Sequence, residues 1–183
     1  MHAVQSNREK HLREKCHATD DEIAQINSIV QLKKQYFNRP VPSNDQPSEI
    51  LDSWLFQGDW KHATNPVLLD SLSITHILNV TDQILLDQSR QILHIPSENG
   101  RSANLTESFH QSNEFLDRCR TNNHRVLVHC ERGVSRSSTI ILAYLMYHKM
   151  WTVSQAFEYL LTKRQQASPN WVLLLQLIRS ENK

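Results

Sequence analysis

The chain has 183 residues, a formal net charge of +1 and an apolar fraction of 39%, which suits one domain with an extension and allows a buried core. A charge so near zero gives no reason to expect nucleic acid or an acidic membrane surface as a partner. The apolar runs are too short to span a bilayer, and the polar N-terminus lacks the apolar segment of a secretory signal. Three cysteines do not make a disulfide framework, so we expect a reducing compartment: the cytoplasm, with the nucleus left open.

Residues 1–47 are predicted to form an extension outside the compact domain. Up to about residue 18 the sequence is polar and charged, and we expect a poorly ordered tail. Thr19 and Glu22 form the capping-box pattern, and apolar residues then recur at helical spacing, which predicts an amphipathic helix near residues 20–37. The three prolines of residues 39–47 exclude helix and sheet and predict a linker.

Residues 48–183 are predicted to form the compact domain, in which strands alternate with helices. The apolar strands show little alternation of polar and apolar residues, which favours an α/β domain with a central sheet flanked by helices. The predicted strands lie at 50–56 (a strand or a hairpin), 76–80, 91–96 and 125–129. The predicted helices lie at 66–72, 105–119, 137–150, 154–163 and 171–179.

One short segment, VHCERGVSRSS at residues 128–138, joins an apolar strand to a strongly apolar helix. Its turn precedes a helix N-terminus, where unpaired backbone N–H groups and the helix dipole favour an anion. In that field Cys130 is expected to ionise easily and to act as a nucleophile. Arg136 offers a fork of donors that matches two oxygens of a phosphate, and Gly133 allows the curl of the loop. Together they predict phosphoryl transfer to sulfur followed by hydrolysis.

This segment resembles the active-site loop of the cysteine-dependent protein phosphatases. Its HCxxGxxRS signature is matched by His129, Cys130, Gly133, Arg136 and Ser137. The wider match resembles the dual-specificity group and covers residues 49–180. It implies a protein tyrosine phosphatase-like fold of dual-specificity type, with a central mixed sheet, an N-terminal helical extension, no cofactor and no metal. The details Gly58-Asp59-Trp60 and Asn79-Val80-Thr81 are similar to the slingshot-type branch.

The resemblance implies a role for each matched residue. Cys130 would become phosphocysteine, Arg136 would bind the phosphate and stabilise the transition state, and the hydroxyl of Ser137 would help Cys130 leave in the second step. His129 would tune the thiolate and brace the loop, and Asn79 would support the loop from below. The backbone N–H groups of the phosphate cradle would be those of Glu131, Arg132, Gly133, Val134, Ser135 and Arg136.

The general acid departs from the family pattern. The family takes the proton for the leaving group from an aspartate on a loop after the strand that ends near Pro96, and this aspartate aligns with Asn99. Asparagine cannot donate a proton as an acid at neutral pH. Either the adjacent Glu98 serves in its place, after a loop shift or a one-residue slip of the alignment, or the acid is missing and poor leaving groups react roughly 10²–10⁴-fold more slowly. Asp82 and Asp87 are more distant candidates.

The expected function is a protein phosphatase that acts on phosphotyrosine and on phosphoserine or phosphothreonine, with phosphoprotein substrates and no nucleic acid as partners. The chain lacks the insertion that deepens the pocket of classical tyrosine phosphatases. Besides Arg136 its loop has one basic residue, Arg132, where lipid phosphatases tend to carry lysines. Two alternatives stay open: a pseudophosphatase that binds phosphoproteins, which Asn99 favours, and a phosphatase for glycan phosphate or an RNA 5′ end.

The other cysteines and histidines are expected to be structural. Cys119 lies on a predicted helix, and Cys16 lies in the predicted tail. Of the ten histidines, only His11 and His17 cluster with a cysteine, and a metal site in such a tail is not expected. His94, His110, His124 and His148 are expected to be ordinary surface or core residues.

Overall fold

The computed structural model describes residues 6–36, 43–98, 100 and 103–181. The strands within these ranges are β1 Ser48–Leu51, β2 Leu55–Gly58, β3 His76–Asn79, β4 Gln91–His94 and β5 Val126–His129. The helices are α1 Asn7–Cys16, α2 Asp20–Tyr36, α3 Trp60–Ala63, α4 Pro66–Ser71, α5 Ser108–Thr121, α6 Arg136–Lys149, α7 Val153–Lys163 and α8 Trp171–Glu181. Within the described part of the chain, no helix is long and apolar enough to cross a membrane.

The five strands form one mixed sheet in the order β1-β2-β5-β3-β4. β1 and β2 are an antiparallel hairpin, whereas β2, β5, β3 and β4 run parallel. β3 and β5 are buried along their whole length, as expected for parallel strands covered on both faces. The predicted α/β class and the mixed central sheet with flanking helices are confirmed, and the hairpin is the correct alternative for the first strand segment.

The core is built around α6, which directly follows the loop after β5. Every residue from Arg136 to Met146 is buried, and α6 contacts the sheet and the three helices α5, α7 and α8. A helix that is buried on all sides has no freedom to move relative to the domain. The first turn of α6 is therefore a rigid support for the loop before it.

The N-terminal extension is more ordered than the sequence predicted. The segment expected to be a poorly ordered tail contains α1, whose Leu12 is fully buried. The N-terminus of α1 is capped by Ser6, whose Oγ accepts from the backbone N–H of Glu9 (3.3 Å), and α1 contacts α8. The prediction of a tail is wrong from residue 6 onward, because one buried leucine among charged residues is too weak a pattern to indicate a packed helix.

The predicted amphipathic helix is α2. Its capping box is formed: Thr19 N–H donates to Glu22 Oε2 (2.8 Å), and Glu22 N–H donates to Thr19 Oγ1 (3.2 Å). Ile23, Ile26 and Ile29 are buried in the same hydrophobic core as the domain, since α2 packs on α7 and α8. The extension and the domain therefore share one core.

The predicted linker is described from residue 43 onward, and residues 37–42 lie outside the described part. The side chain of Asn44 donates to Asp59 Oδ2 (2.7 Å) and accepts from Arg164 Nη2 (3.1 Å) and Gln166 Nε2 (2.6 Å). Residues just before the predicted domain boundary at 48 thus already belong to the hydrogen-bond network of the domain.

Candidate active site

Cys130 directly follows β5, at the edge of the sheet where the parallel strands end. Because β5 lies between β2 and β3, the loop that it feeds rises from the middle of the sheet and runs into α6 at Arg136. This is the strand–loop–helix arrangement that the sequence predicted. Cys130 and Arg136 line a cleft of about 240 Å³, together with Arg132, Val134, Ser135, Ser168 and Asn170.

The surroundings of Cys130 favour its thiolate. The residue is 3% exposed, and burial alone would raise the pKa of its thiol. The Ser137 hydroxyl, 3.3 Å from Sγ, the backbone N–H groups of Ser137 and Val134, and the charge of Arg136 outweigh burial, and the pKa of Cys130 lies below its ordinary value. A lowered pKa increases the fraction of nucleophilic thiolate at neutral pH.

Gly133 determines the curl of the loop. Its φ of +63° lies in the left-handed region, which favours glycine. A Cβ at this position would lie 2.5 Å from the carbonyl oxygen of Gly58 and 2.6 Å from Arg164 Nη2, so no side chain fits. The carbonyl oxygen of Gly133 accepts from Arg164 Nε (2.8 Å) and Gln57 Nε2 (3.3 Å). The loop is therefore held from the interior of the protein.

Arg164 is a supporting residue that the sequence analysis missed. It is 3% exposed and, besides its bond to Gly133, donates to Ser48 Oγ (3.0 Å) and Asn44 Oδ1 (3.1 Å). Burial lowers the pKa of Arg164 to about 10, so the side chain stays charged at neutral pH beneath the loop. A single arginine between two predicted helices is too common to be a signal.

Gln57 is the second missed residue, and it holds the hydroxyl that faces the nucleophile. It is fully buried in β2, and its Nε2 donates to Ser137 Oγ (3.0 Å) and Ser138 Oγ (2.8 Å). A glutamine inside an apolar strand could have been noticed, because buried polar side chains need hydrogen-bond partners. Its partners could not have been named from the sequence.

His129 is buried directly before the loop and adds no charge to it. It is fully buried, with its ring centroid 5.8 Å from that of Trp60. Burial lowers the pKa of His129 to about 4, so the imidazole is neutral at physiological pH. The expected roles of His129, tuning of the thiolate and bracing of the loop, stay predictions, and any tuning would come from a neutral ring.

The hydrogen bonds of the Asn79 side chain are made with the segment after β3. Its Nδ2 donates to the carbonyl oxygen of Gln83 (2.8 Å), and its Oδ1 accepts from Thr81 (2.7 Å). The side chain of Gln83 in turn donates to Glu131 Oε2 (3.1 Å). Direct support of the loop by Asn79 stays a prediction: its hydrogen bonds order the segment after β3, and Gln83 connects that segment to the loop.

Arg136, the expected phosphate clamp, is 3% exposed, and its Nη1 donates to the carbonyl oxygen of Ser97. Glu98, the expected acid, is exposed and follows Ser97 directly. Asn99 lies outside the described residues. Because the Ser97 carbonyl oxygen is bonded to Arg136, the backbone directly before Glu98 lies at the cleft.

The backbone on the other side of Glu98 is tied to the opposite wall of the cleft. Asn170 Nδ2 donates to the carbonyl oxygen of Gly100 (2.9 Å), and the backbone N–H of Asn170 donates to Ser135 Oγ (3.0 Å). Glu98 is thus on a segment anchored beside the cleft, and its role as the acid stays a prediction.

Asp87 is not suited to be the acid. Its carboxylate accepts from Arg90 Nη1 (2.6 Å). Burial acts to raise the pKa of Asp87, but the bonds from Arg90 and from the backbone of Ser89 outweigh it and hold the pKa below its ordinary value. A carboxyl group that stays ionised cannot donate a proton at neutral pH.

A thiolate and a guanidinium that share a cleft at a helix N-terminus can accept and hold a phosphoryl group on sulfur, and the fold and site together define a cysteine-dependent phosphatase domain. The family model described as "Dual specificity phosphatase, catalytic domain" matches residues 55–183. The chain belongs to this family.

Curated relatives agree with the family model. The chain is 38% identical to dual specificity protein phosphatase 5 of Rattus norvegicus over 147 residues, 79% of this chain and 38% of that protein. It is also 38% identical to human dual specificity protein phosphatase 4 over 146 residues, 78% of this chain and 37% of that protein. The chain thus spans well under half the length of these relatives. The family predicted from the loop signature is confirmed, and the likeness to the slingshot-type branch stays a prediction.

Solved structures agree on the fold. The crystal structure of DUSP15 superposes with a TM-score of 0.72 at 28% identity, covering 76% of this chain and 88% of that chain. The human tyrosine phosphatase-like serine/threonine/tyrosine-interacting protein superposes with a TM-score of 0.69 at 28% identity, covering 75% of this chain and 96% of that chain.

Proposed function

We propose that this protein hydrolyses phosphotyrosine and phosphoserine or phosphothreonine in protein substrates through a cysteinyl-phosphate intermediate. The observation that carries the proposal is the shared cleft of Cys130, with its lowered pKa, and Arg136. Family membership supports it. A cleft bounded on one side by the loop and on the other by Ser168 and Asn170 gives a phosphorylated side chain access to the sulfur.

In the first step the Cys130 thiolate attacks phosphorus, an S–P bond forms, and the bond from phosphorus to the substrate oxygen breaks. Arg136 and the loop N–H groups stabilise the charge on the transferring group. The leaving oxygen needs a proton, and Glu98 is our proposed donor. Because a phenoxide leaves more easily than a serine alkoxide, loss of the acid affects phosphoserine most.

In the second step water attacks the phosphocysteine, the S–P bond breaks and inorganic phosphate leaves. The departing sulfur regains its negative charge, and the Ser137 hydroxyl, 3.3 Å from Sγ, stabilises that charge by hydrogen bonding. Gln57 donates to the Ser137 oxygen, so that the hydroxyl hydrogen is free to point at the sulfur.

We also propose a reducing location, the cytoplasm or the nucleus, as part of this function. All three cysteines are free thiols, and a nucleophile with a lowered pKa is easily oxidised. Loss of activity in hydrogen peroxide and its recovery with a dithiol would support this requirement, and full activity under oxidising conditions would contradict it.

The test is steady-state hydrolysis of p-nitrophenyl phosphate and of phosphotyrosine and phosphothreonine peptides by the purified chain. We expect turnover of all three, abolished by Cys130→Ser. Glu98→Gln should slow the phosphothreonine peptide by roughly 10²–10⁴-fold and leave p-nitrophenyl phosphate least affected, since its leaving group needs no acid. Asn99→Asp, which places an acid at the neighbouring position, is the variant to compare with Glu98→Gln.

Two results would decide against parts of this proposal. Turnover that Cys130→Ser leaves unchanged would exclude the cysteinyl-phosphate mechanism. Weak peptide turnover that is insensitive to Glu98→Gln and rescued by Asn99→Asp would show that the acid is missing, and the phosphoprotein-binding alternative would then be preferred.

A further inference from the structure

We propose a second site, at the end of the sheet opposite Cys130, that binds a zinc ion through His76, Cys119 and His124. The phosphate-transfer mechanism uses none of these side chains. They come from three elements: His76 begins β3, Cys119 lies on α5, and His124 lies just before β5. The sequence did not reveal this cluster, because 42 residues lie between His76 and Cys119 along the chain.

The three side chains are close enough to share one ion. The imidazole nitrogens of His76 and His124 that face the group and Cys119 Sγ all lie within 4.8 Å of one another. Zinc binds nitrogen at about 2.0–2.1 Å and sulfur at about 2.3 Å in tetrahedral geometry, which places ligand atoms about 3.5 Å apart. The longest separation therefore has to close by roughly 1 Å.

The residue that can make this movement is His124. His76 and Cys119 are 6% and 1% exposed and are fixed in the core, whereas His124 is half-buried on a connecting segment. The two imidazole rings are stacked, with centroids 4.2 Å apart and planes inclined by 17°. Rotation of the His124 ring about its side-chain bonds turns a nitrogen toward the sulfur without moving the sheet.

Neighbouring groups can orient the ligands. One ring nitrogen of His76 contacts Gln91 Oε1 (3.1 Å), and the other contacts Thr75 Oγ1 (2.9 Å). The ion replaces one of these contacts, and the remaining one holds the ring in place, as second-shell partners of zinc-bound histidines do. A cleft of about 250 Å³ is lined by the three ligands together with Gln91, Phe115, Arg118 and Asn122, so water can reach the fourth position.

The chemistry of the donor set favours zinc over magnesium and calcium. Two imidazoles and one thiolate are soft or borderline ligands, which suit zinc and exclude magnesium and calcium as strong binders. Binding is written Zn²⁺ + Cys119–SH → Cys119–S–Zn⁺ + H⁺, so each ion bound releases one proton. Burial raises the pKa of Cys119 to about 12, and the charge of Arg118 opposes this rise only in part, so the ion has to displace the thiol proton when it binds.

The expected role of the ion is structural. β5 separates this end of the sheet from Cys130 by four residues, about 13 Å at the usual strand rise of about 3.3 Å per residue. An ion at this distance does not touch the phosphate. It would join α5 to the amino ends of β3 and β5 and so stabilise that edge of the sheet.

The experiment uses the full chain, without a polyhistidine tag, in the Cys130→Ser background, so that the active-site thiolate cannot take up metal. Isothermal titration with zinc chloride in two buffers of different ionisation enthalpy measures stoichiometry and proton release. We expect one ion and about one proton per chain. Cobalt(II) in place of zinc should show thiolate-to-metal charge transfer and the intense visible bands of a four-coordinate site.

Variants locate the ion. Cys119→Ser and His124→Ala should each weaken zinc binding by more than about 100-fold, since removal of second-shell partners alone costs roughly 10–100-fold. Cys16→Ser and His148→Ala are the controls. Cys16→Ser removes a thiol on α1, and His148→Ala removes a histidine stacked on Tyr144. Both variants should bind zinc as tightly as the Cys130→Ser background. His124→Ala, at a half-buried position, keeps the test valid if Cys119→Ser fails to fold.

Three results would overturn the proposal. The first is that the protein takes up no zinc at micromolar concentrations. The second is that His124→Ala binds zinc as tightly as the background, and the third is a cobalt spectrum without thiolate charge transfer. None of these measurements depends on phosphatase activity.

Discussion

At Cys130, contacts with the loop and with the first turn of α6 decide the charge of the sulfur. The Ser137 hydroxyl, the N–H groups of Ser137 and Val134, and the guanidinium of Arg136 act against burial and lower the pKa of the thiol. Because the thiolate is the reactive form, activity rises as the pH rises through this pKa, and the rise comes at a lower pH than for an ordinary cysteine.

Ser137→Ala tests this account of the nucleophile. Removing the hydroxyl removes the hydrogen bond that lowers the pKa of Cys130, so the acid limb of kcat/KM and the midpoint of iodoacetamide alkylation should both move to higher pH. At saturating substrate, kcat should fall about 10–100-fold, as expected for a lost hydrogen bond to a charged atom.

The matched control is Ser138→Ala. The Ser138 hydroxyl donates to the carbonyl oxygen of Val134 (2.7 Å) and also accepts from Gln57, but it does not contact Cys130. If both variants shift the alkylation midpoint equally, the Ser137 hydroxyl is not the cause of the lowered pKa.

The residues of the site fall into two groups: those close to Cys130 in the sequence and those far from it. Cys130, Arg136 and Ser137 lie within eight positions, and a strand followed by a glycine loop and a helix was enough to predict that they meet. Gln57 and Arg164 reach Gly133 in the same loop from 76 and 31 positions away. A sequence pattern carries no register between such distant segments, which is why these two supports were missed.

At the scale of an element, α2 is part of the structural core. Ile26 is fully buried, so Ile26→Ala should lower the free energy of unfolding by about 2–5 kcal/mol, through lost transfer energy and the cavity left behind. Gln25→Ala, at an exposed position of the same helix, should change it by less than about 0.5 kcal/mol. Urea unfolding monitored by circular dichroism gives both values, and equal effects would show that α2 does not stabilise the domain.

The secondary structure was predictable where periodicity was strong. The strands and α2, α6, α7 and α8 were found within a few residues of their bounds. The helix predicted from 105 begins at Ser108, and the Leu105 N–H before it donates to Gln176 Oε1 (2.9 Å) on α8. α3 has four residues and depends on a cap between Asp59 and His62, which is too short for any periodic signal.

At the scale of the whole molecule, stability should depend on pH through buried histidines. Burial lowers the pKa of His62, His76 and His129, the last to about 4. The unfolded chain takes up protons near the ordinary value of 6.5, while the folded chain does not. Stability is therefore complete above about pH 6.5 and declines as the pH falls toward 4.

For His129 the difference between 6.5 and about 4 is worth about 3 kcal/mol. We expect the free energy of unfolding in urea to decrease continuously as the pH falls from about 6.5 to about 4. His62→Gln should flatten this dependence, whereas His110→Gln, whose side chain is 83% exposed, should not. A free energy of unfolding that is constant over this range would contradict the neutral, buried state of these side chains.

Folding shifts the pKa values of the Cys130 and Cys119 thiols in opposite directions. The fold lowers the pKa of Cys130, whereas burial raises the pKa of Cys119 to about 12. In an unfolded chain the two sulfurs have the same environment and react alike with an alkylating reagent. In the native protein the reagent alkylates Cys130 quickly and Cys119 slowly. The ratio of label at the two cysteines therefore measures the fraction of the population that is folded.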